Sequence, residues 1–321
     1  MTLPPPLAAA LEGMLDGVSR KALAERAARL SDRYRAGGGS EAIAAEADAL
    51  AYACARLPAT GAALAAVFDA VAQALPDFQP RSLLDAGAGP GTASWMAQAA
   101  WPGLARVIML DRNPALRALA RRLADQGPPA LAQADILAGD LTAEAPSADL
   151  PHADMVVASY VLAELPEDQA APVALGLWRS AQSLLVLAEP GTPQGFARIR
   201  AARAALIADG AHVAAPCTHD AVCPLVGEDW CHFSRRLPRS RDHMQMKGAT
   251  VPFEDERYCF VAVTRAPVAH RAARILSPPL VAKPGLTFKL CDGGGLRVQF
   301  VPARDREATR RARRLGWGDL F

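Results

Sequence analysis

Between a short apolar segment and a helix start, the sequence runs Leu83-Leu84-Asp85-Ala86-Gly87-Ala88-Gly89-Pro90-Gly91-Thr92. Glycines allow the chain to turn sharply and bring backbone N–H groups close to a ligand. The dinucleotide-binding pattern G-x-G-x-x-G is not met, because Thr92 stands where its last glycine belongs. The pattern is D-x-G-x-G-x-G, and its acid would repel a pyrophosphate but could pair with a cationic amino-acid group. A nicotinamide cofactor and a turn without any ligand are the weaker alternatives.

Around this loop, short apolar strands alternate with helices. The predicted strands are Ser82–Ala86, Ala105–Leu110, Leu131–Ala134, Met155–Ser159, Ser183–Ala188 and Tyr258–Thr264. The predicted helices between them include Thr92–Ala100, Ala115–Ala124 and Ala171–Ser180. This order predicts an α/β fold with a mostly parallel, doubly wound sheet.

The α/β pattern occupies residues 80–266, and the segments on either side differ from it. Residues 1–79 form an Ala-rich helical region with no evident chemistry, broken at Gly37-Gly38-Gly39 before a second helix that starts at Ser40 and Glu41. Within the α/β part, 192–256 is too long for one loop, so we expect a helix over Phe196–Ala208 and a Cys-rich insertion over 210–256.

The C-terminal region, residues 267–321, has a third kind of pattern. Thr287–Cys291 and Arg297–Val301 predict a β-hairpin around three glycines, and Asp305–Leu315 predicts an Arg-rich helix. Residues 1–231 carry 17 Lys and Arg against 25 Asp and Glu, whereas residues 232–321 carry 18 against 8. The net charges of −8 and +10 indicate a polyanionic partner, such as nucleic acid, for the C-terminal third.

Composition restricts the class of protein. With 51% hydrophobic and 21% charged residues in 321, the chain is not intrinsically disordered. No uncharged apolar run approaches the roughly 18 residues of a membrane span, and no basic residue precedes the apolar N-terminus as in a secretory signal. We therefore expect a cytoplasmic protein with no membrane partner.

Three of the six cysteines lie within 15 residues. The spacing is C-x5-C and then C-x7-C, with a further cysteine 28 residues on, and the four are Cys217, Cys223, Cys231 and Cys259. Four thiolates can hold zinc or an iron–sulfur cluster, and the wide spacing together with Cys223-Pro224 favours a cluster. Zinc and unligated core cysteines remain open, with His219, His232 and His243 as alternative ligands. Pro216-Cys217 resembles the Pro-Cys of RNA cytosine-5 methyltransferases, but its position after the fifth strand disfavours that assignment.

The glycine loop resembles motif I of class I S-adenosylmethionine-dependent methyltransferases. The resemblance implies that Asp85, Gly87, Gly89 and Gly91 contact the methionine portion of that cofactor. Asp111, 20 residues after Gly91, would accept hydrogen bonds from the ribose hydroxyls. Three further residues are expected beside the cofactor, namely Asp140 at the adenine edge and Ser159 and Tyr160 at the end of the fourth strand.

A wider set of motifs resembles the Rsm22 family. The motifs are residues 84–92, the segment Ser159-Tyr160-Val161-Leu162-Ala163-Glu164-Leu165, the segment Glu189-Pro190-Gly191-Thr192-Pro193, Asp229-Trp230-Cys231-His232-Phe233 and the closing Trp317-Gly318-Asp319. The resemblance covers about residues 40–321. It implies a class I methyltransferase fold, S-adenosylmethionine, a role in assembly of the small ribosomal subunit through its RNA, and a 4Fe–4S cluster on the four cysteines. Cys54 and Cys291 have no counterpart and are expected in the core; no DNA partner is expected.

No residue stands out as catalytic. Amino-group methylases carry an Asn/Asp-Pro-Pro-aromatic tetrad after the fourth strand, where this chain has Ala158-Ser159-Tyr160-Val161. Glu164 could act as a base or merely cap the next helix. Two hypotheses follow: an rRNA methyltransferase, and a non-catalytic assembly factor that keeps the cofactor pocket and cluster. The target nucleotide, the redox role of the cluster and the oligomeric state are open.

Overall fold

A computed structural model of the chain describes residues 3–35, 38–141, 150–269 and 272–321. The helices are α1 (Pro5–Gly13), α2 (Arg20–Arg35), α3 (Glu46–Ala74), α4 (Thr92–Ala100), α5 (Pro114–Ala124), α6 (Pro129–Ala132), α7 (Ala170–Ser180), α8 (Pro193–Ala208), α9 (Arg241–Met246) and α10 (Arg306–Ala312). The strands are β1 (Ser82–Ala86), β2 (Arg106–Asp111), β3 (Asp135–Ala138), β4 (Ala153–Ser159), β5 (Ala181–Pro190), β6 (His212–Ala215), β7 (Phe233–Pro238), β8 (Phe253–Thr264), β9 (Arg274–Ile275), β10 (Leu280–Ala282), β11 (Gly285–Asp292) and β12 (Gly295–Pro302).

The central sheet has the strand order β3-β2-β1-β4-β5-β8-β6, with β7 paired to the first half of β8. The strands β1 to β5 are parallel, whereas β8 runs antiparallel to both β5 and β6. This order confirms the predicted doubly wound, Rossmann-like class I methyltransferase sheet. The strand order reverses between β1 and β4, and such a reversal opens a ligand crevice at the carboxyl ends of the strands.

Both faces of the sheet are buried because successive strand residues point in opposite directions. Leu83 packs into a core with α1–α5, whereas the adjacent Leu84 packs into a second core with α7 and α8. Both leucines are fully buried. A third, smaller core lies between α10 and the C-terminal sheet of β9–β12 and centres on Phe288.

The longest helix, α3, passes the length and composition criteria for a membrane span, the one helix among the described residues to do so. Its most apolar window is 72% buried inside the protein, against α4, α5 and the sheet. A long apolar helix covered on several sides is the arrangement of a core helix.

Two sequence predictions are wrong at the level of elements. The strand predicted at Leu131–Ala134 is the short helix α6, and β3 begins after it at Asp135. Pro128-Pro129 favours a helix start, since proline is well tolerated at the first helical position. The helix predicted from Ser40 is a 3-10 turn over Ser40–Ala42, and α3 begins at Glu46; Gly37 lies outside the described residues.

The Cys-rich insertion predicted over 210–256 contains one strand of the central sheet. Because β6 spans His212–Ala215 and pairs with β8, the chain leaves the sheet only at Pro216. From there it runs through the cysteine loop to β7 and α9 before it returns along β8. The C-terminal hairpin and the Arg-rich helix are confirmed as β11–β12 and α10.

Candidate functional site

A cleft of about 600 Å³ lies at the carboxyl ends of β1, β2 and β4. It contains six of the eight residues predicted for the cofactor: Gly87, Gly89, Asp111, Asp140, Ser159 and Tyr160. They lie at the point where the strand order reverses, as expected for a ligand site in this fold.

The glycine loop forms one wall of the cleft, and two of its glycines have conformations that other residues disfavour. Gly87 (φ +72°) lies against Val161, where an added Cβ would come within 2.2 Å of the valine Cγ2. At Gly89 (φ +55°) an added Cβ would meet no atom within 4 Å, so this position opens on free space. The loop therefore leaves room for a ligand above Gly89 while Gly87 holds it against the end of β4.

Asp111 ends β2 with its carboxylate at the cleft. It accepts hydrogen bonds from the backbone N–H of Gly89 (2.7 Å) and of Asn113 (2.7 Å), and burial raises its pKa. Each carboxylate oxygen keeps a second lone pair, so both remain able to accept from hydroxyl groups of a ligand. Asp140 lies nearby, with its carboxylate 3.9 Å from the Arg112 guanidinium.

Two predicted cofactor residues lie outside the cleft lining. Asp85 is fully buried beneath it and accepts hydrogen bonds from the Ser94 N–H and hydroxyl, at 2.9 and 2.8 Å. Its Oδ1 atom has no hydrogen-bond partner among the described residues, and burial raises its pKa to about 7. Gly91 precedes α4 with φ +83°, and its Cα faces the Met109 side chain. Asp85 and Gly91 therefore support the loop from behind.

The N-terminal helical region, expected to carry no chemistry, closes one side of the cleft. Tyr34 from α2, Ser40 from the 3-10 turn and Tyr52 from α3 all line it. Glu164 holds this region, because its carboxylate accepts from the Ser40 N–H (3.1 Å), the Ser40 hydroxyl (3.0 Å) and the Tyr34 hydroxyl (3.3 Å). Three of the four tyrosines meet at this cleft, and two rare aromatic residues in an Ala-rich helical region were the available sequence signal.

Tyr160, directly after β4, has the one positive φ among the described non-glycine residues, at 60°. Its hydroxyl donates to Glu256 of β8 (3.0 Å), and the Arg56 guanidinium of α3 lies 3.2 Å from the same carboxylate. Its backbone N–H donates to the Ala188 carbonyl (2.7 Å). The strained backbone is therefore held by α3, β5 and β8 together, as strained residues near functional sites usually are.

A second pocket, of about 560 Å³, lies between α8, the loop after β6 and the C-terminal sheet. All four predicted ligand cysteines line it, namely Cys217, Cys223, Cys231 and Cys259. Cys291, expected to be an ordinary core residue, lines the same pocket with its sulfur 3.5 Å from the His219 Nε2 atom. The fold thus gathers five thiols that lie up to 74 residues apart in the sequence. Cys54 is buried separately within α3.

The cysteine pocket is lined mostly by apolar atoms, and burial raises the pKa of the Cys217, Cys231 and Cys259 thiols. Within the described residues, no three His, Cys, Asp or Glu side chains are arranged to hold a single metal ion. His232 stacks on Trp230 (4.9 Å between ring centroids), and His243 is buried beside Glu254. Of the three predicted alternative ligands, only His219 lines the pocket.

The predicted basic surface divides into two parts. Six arginines on and around α10 are exposed: Arg304, Arg306, Arg310, Arg311, Arg313 and Arg314. Within the described part of the chain, only Arg311 among them approaches a carboxylate, that of Glu307 at 4.0 Å. In contrast, Arg236 and Arg239 pair with Asp255 and Glu254, so their charges are partly neutralised.

Residues 46–321 match the family described as mitochondrial small ribosomal subunit Rsm22. The chain is 30% identical over 295 residues to the human protein described as ribosome assembly protein METTL17, mitochondrial, with 85% of this chain and 62% of that protein aligned. It is 28% identical over 288 residues to Rsm22-cox11 tandem protein 2, mitochondrial, of Schizosaccharomyces pombe, with coverage of 74% and 38%. The chain spans less than two thirds of either relative.

Among solved structures, the magnesium protoporphyrin IX methyltransferase of Synechocystis with bound S-adenosylmethionine is 18% identical, with a TM-score of 0.43. The alignment covers 65% of this chain and 80% of that one. The mitomycin 7-O-methyltransferase is 20% identical with a TM-score of 0.40, and the alignment covers 75% and 68% of the two chains. The fold assignment rests on the strand order of the sheet itself.

Proposed function

This chain belongs to the Rsm22 family, and from that premise we propose that it binds S-adenosylmethionine and small-subunit ribosomal RNA as a ribosome assembly factor. The human relative is described as a ribosome assembly protein. The observation that carries the proposal is the cleft at the strand-order reversal, where an open glycine turn faces the Asp111 carboxylate.

The residues of the cleft suit this cofactor in charge and shape. Space above Gly89 admits the methionine portion, and Asp111 can accept from two ribose hydroxyls. The unpartnered Asp85 Oδ1 atom beneath the loop offers a counter-charge for a cationic amino group. The cofactor would supply an electrophilic methyl group; this chain orients it with the glycine turn and covers it with Tyr34 and Ser40.

The exposed arginines of α10 support an RNA partner. Arginine presents a planar donor fork that suits phosphate oxygens, and cations without carboxylate partners are available to an external polyanion. The contrast with the paired Arg236 and Arg239 favours an RNA surface on the C-terminal helix rather than on β7.

We further propose a four-thiolate 4Fe–4S centre on Cys217, Cys223, Cys231 and Cys259. In such a cluster each thiolate binds a different iron, whereas zinc needs four sulfurs within about 2.3 Å of one ion. A roomy pocket whose thiols do not converge on one point supports the cluster over zinc. Iron and acid-labile sulfide should be present in anaerobically purified protein, lost in Cys231→Ser and kept in Cys54→Ser. Colourless protein with stoichiometric zinc would refute the cluster.

The geometry supports binding more than methyl transfer. Tyr160 and Glu164, which stand where an acceptor base would approach, are both committed to internal hydrogen bonds. The cleft therefore offers a binding site in which the polar groups nearest the acceptor position already have partners. An rRNA methyltransferase is the second candidate, favoured by the class of fold.

One experiment separates the two candidates. Small subunits from a strain lacking the protein are incubated with purified protein and cofactor labelled in its methyl group, while cofactor affinity is measured by calorimetry. We expect binding that weakens at least tenfold in Asp111→Asn but not in the exposed β3 control Asp135→Asn, and no label on RNA. Label that disappears with Asp111→Asn would establish the methyltransferase, and no cofactor binding would refute the proposal.

A further inference from the structure

Arg203 is a buried cation beside the cysteine pocket. It projects from α8, is 5% exposed and lines the pocket together with the cysteines. No carboxylate among the described residues lies within ion-pair distance of its guanidinium. A buried charge is costly unless an opposite charge and hydrogen bonds compensate it, so a cation in this position calls for an anion inside the pocket.

The contacts of Arg203 point to the cysteine loop. One terminal nitrogen donates to the carbonyls of His219 (2.8 Å) and Ala221 (2.9 Å), and the guanidinium also hydrogen-bonds the Cys217 sulfur. The Nε atom is buried and makes no hydrogen bond to a described residue. Arg203 therefore fixes the loop between Cys217 and Cys223 and brings a positive charge to its thiols.

A second buried arginine supports the same loop from the opposite side. Arg274 of β9 is 4% exposed and also lines the pocket. Its Nε donates to the Pro216 carbonyl (2.9 Å), and one terminal nitrogen donates to the Gly318 carbonyl (2.7 Å). The segment that carries Cys217 thus lies between two guanidinium groups supplied by α8 and by the C-terminal sheet.

We infer that Arg203, with Arg274, is the resident counter-charge of a dianionic four-thiolate centre and a positioning residue for its loop. Four thiolates around a zinc ion or an oxidised 4Fe–4S core carry a net charge of about −2, which two guanidinium groups balance. The inference rests on the proposed metal centre. It adds that α8, an ordinary helix of the methyltransferase fold, controls how firmly the centre is held and how readily it accepts an electron.

Charge and loop support can be separated by two substitutions at this position. Arg203→Gln keeps donors for the loop carbonyls but removes the charge, whereas Arg203→Lys keeps the charge and loses the planar fork. Arg200→Met, one turn earlier on α8, partly exposed and at the rim of the pocket, is the matched control. Each protein is purified anaerobically, and metal release to a chelator and the reduction potential of the iron centre are measured.

We expect Arg203→Gln to release metal several-fold faster than the wild type and to have a more negative reduction potential, because the reduced centre carries one more negative charge. Arg203→Lys should keep a potential near that of the wild type, and Arg200→Met should match it in both measurements. Equal behaviour of Arg203→Gln and wild type, or the same loss in the Gln and Lys variants, would overturn the counter-charge. Wild-type protein without metal or sulfide would instead refute the centre itself, and with zinc the release rates alone carry the comparison.

Discussion

At the scale of single residues, two buried carboxyl groups lie under the cofactor cleft. Desolvation raises the pKa of Asp85 to about 7 and that of Glu189 to about 8, although both accept hydrogen bonds from backbone N–H groups. Ser94 is the partner of Asp85, and Leu162 and Ala163 are the partners of Glu189. Both acids are therefore largely protonated below neutral pH in the folded protein.

This protonation makes stability depend on pH. Between the ordinary pKa of an aspartate and about 7, the unfolded chain releases the Asp85 proton while the folded chain keeps it, so the free energy of unfolding falls as pH rises. The Asp85 contribution is fully present below about pH 4, and its loss by pH 7 amounts to at most roughly 4 kcal/mol. Asp85→Asn, whose amide oxygen can still accept from Ser94, should flatten this decline. Urea unfolding from pH 4.5 to 8 measures it, and identical slopes for the two proteins would contradict it.

At the scale of elements, the paired strands β5 and β8 join the two candidate sites. Glu189, near the end of β5, caps the turn after β4 that lines the cleft, and it pairs in register with Cys259 of β8. The Cys259 sulfur lies 3.3 Å from the Pro190 carbonyl. Consecutive residues of one strand therefore contact the cleft wall and a predicted ligand of the metal centre.

The helix α10 carries the element-scale prediction for RNA binding. Arg306, Arg310 and Arg313 lie on one exposed face at helical spacing, and Asp305 caps the helix through the Ala308 N–H. Replacing the three by Gln should weaken small-subunit RNA binding about tenfold or more and lower the salt slope of log K by about 2 if each contacts a phosphate. The control replaces the exposed Lys21, Arg29 and Arg33 of α2 by Gln. Binding would be measured by fluorescence anisotropy over a salt series, and an unchanged slope would show that the α10 arginines only solvate their helix.

At the scale of the whole molecule, three parts of the chain meet around a single sheet. The N-terminal helices cover one face and reach the cofactor cleft through Tyr34 and Ser40, while the C-terminal sheet closes the cysteine pocket through Cys291 and Arg274. Each site is therefore completed by a segment distant in sequence.

Glu164 is the contact that attaches the N-terminal region to the cleft. In Glu164→Gln an amide N–H₂ must face donors from Ser40 or Tyr34, so at least one charge-assisted hydrogen bond is lost. We expect amide hydrogen exchange of residues 38–43 to accelerate about tenfold and cofactor affinity to fall with it. Glu167→Gln, an exposed acid in the adjacent turn, is the control. Unchanged exchange in the Glu164→Gln protein would show that packing alone holds the segment.

The sequence alone was sufficient for the features that depend on local pattern. Alternating apolar strands and helices predicted the doubly wound sheet, the glycine spacing predicted the turn after β1, and the acid at position 111 fell at the end of β2. Periodicity and glycine content report local conformation directly, because they follow from backbone geometry. Where local signals conflicted, as at Pro128–Ala134, the prediction failed.

Only the tertiary structure decided which distant residues complete each site. Nothing in the local pattern of Tyr34, Cys291 or Arg203 distinguishes it from a surface or core residue of its type. Their roles arise because helix packing and strand pairing place side chains from separate segments around the same cleft or pocket. Such contacts depend on how the elements are arranged in space, and a one-dimensional pattern of polarity does not encode that arrangement in any single stretch.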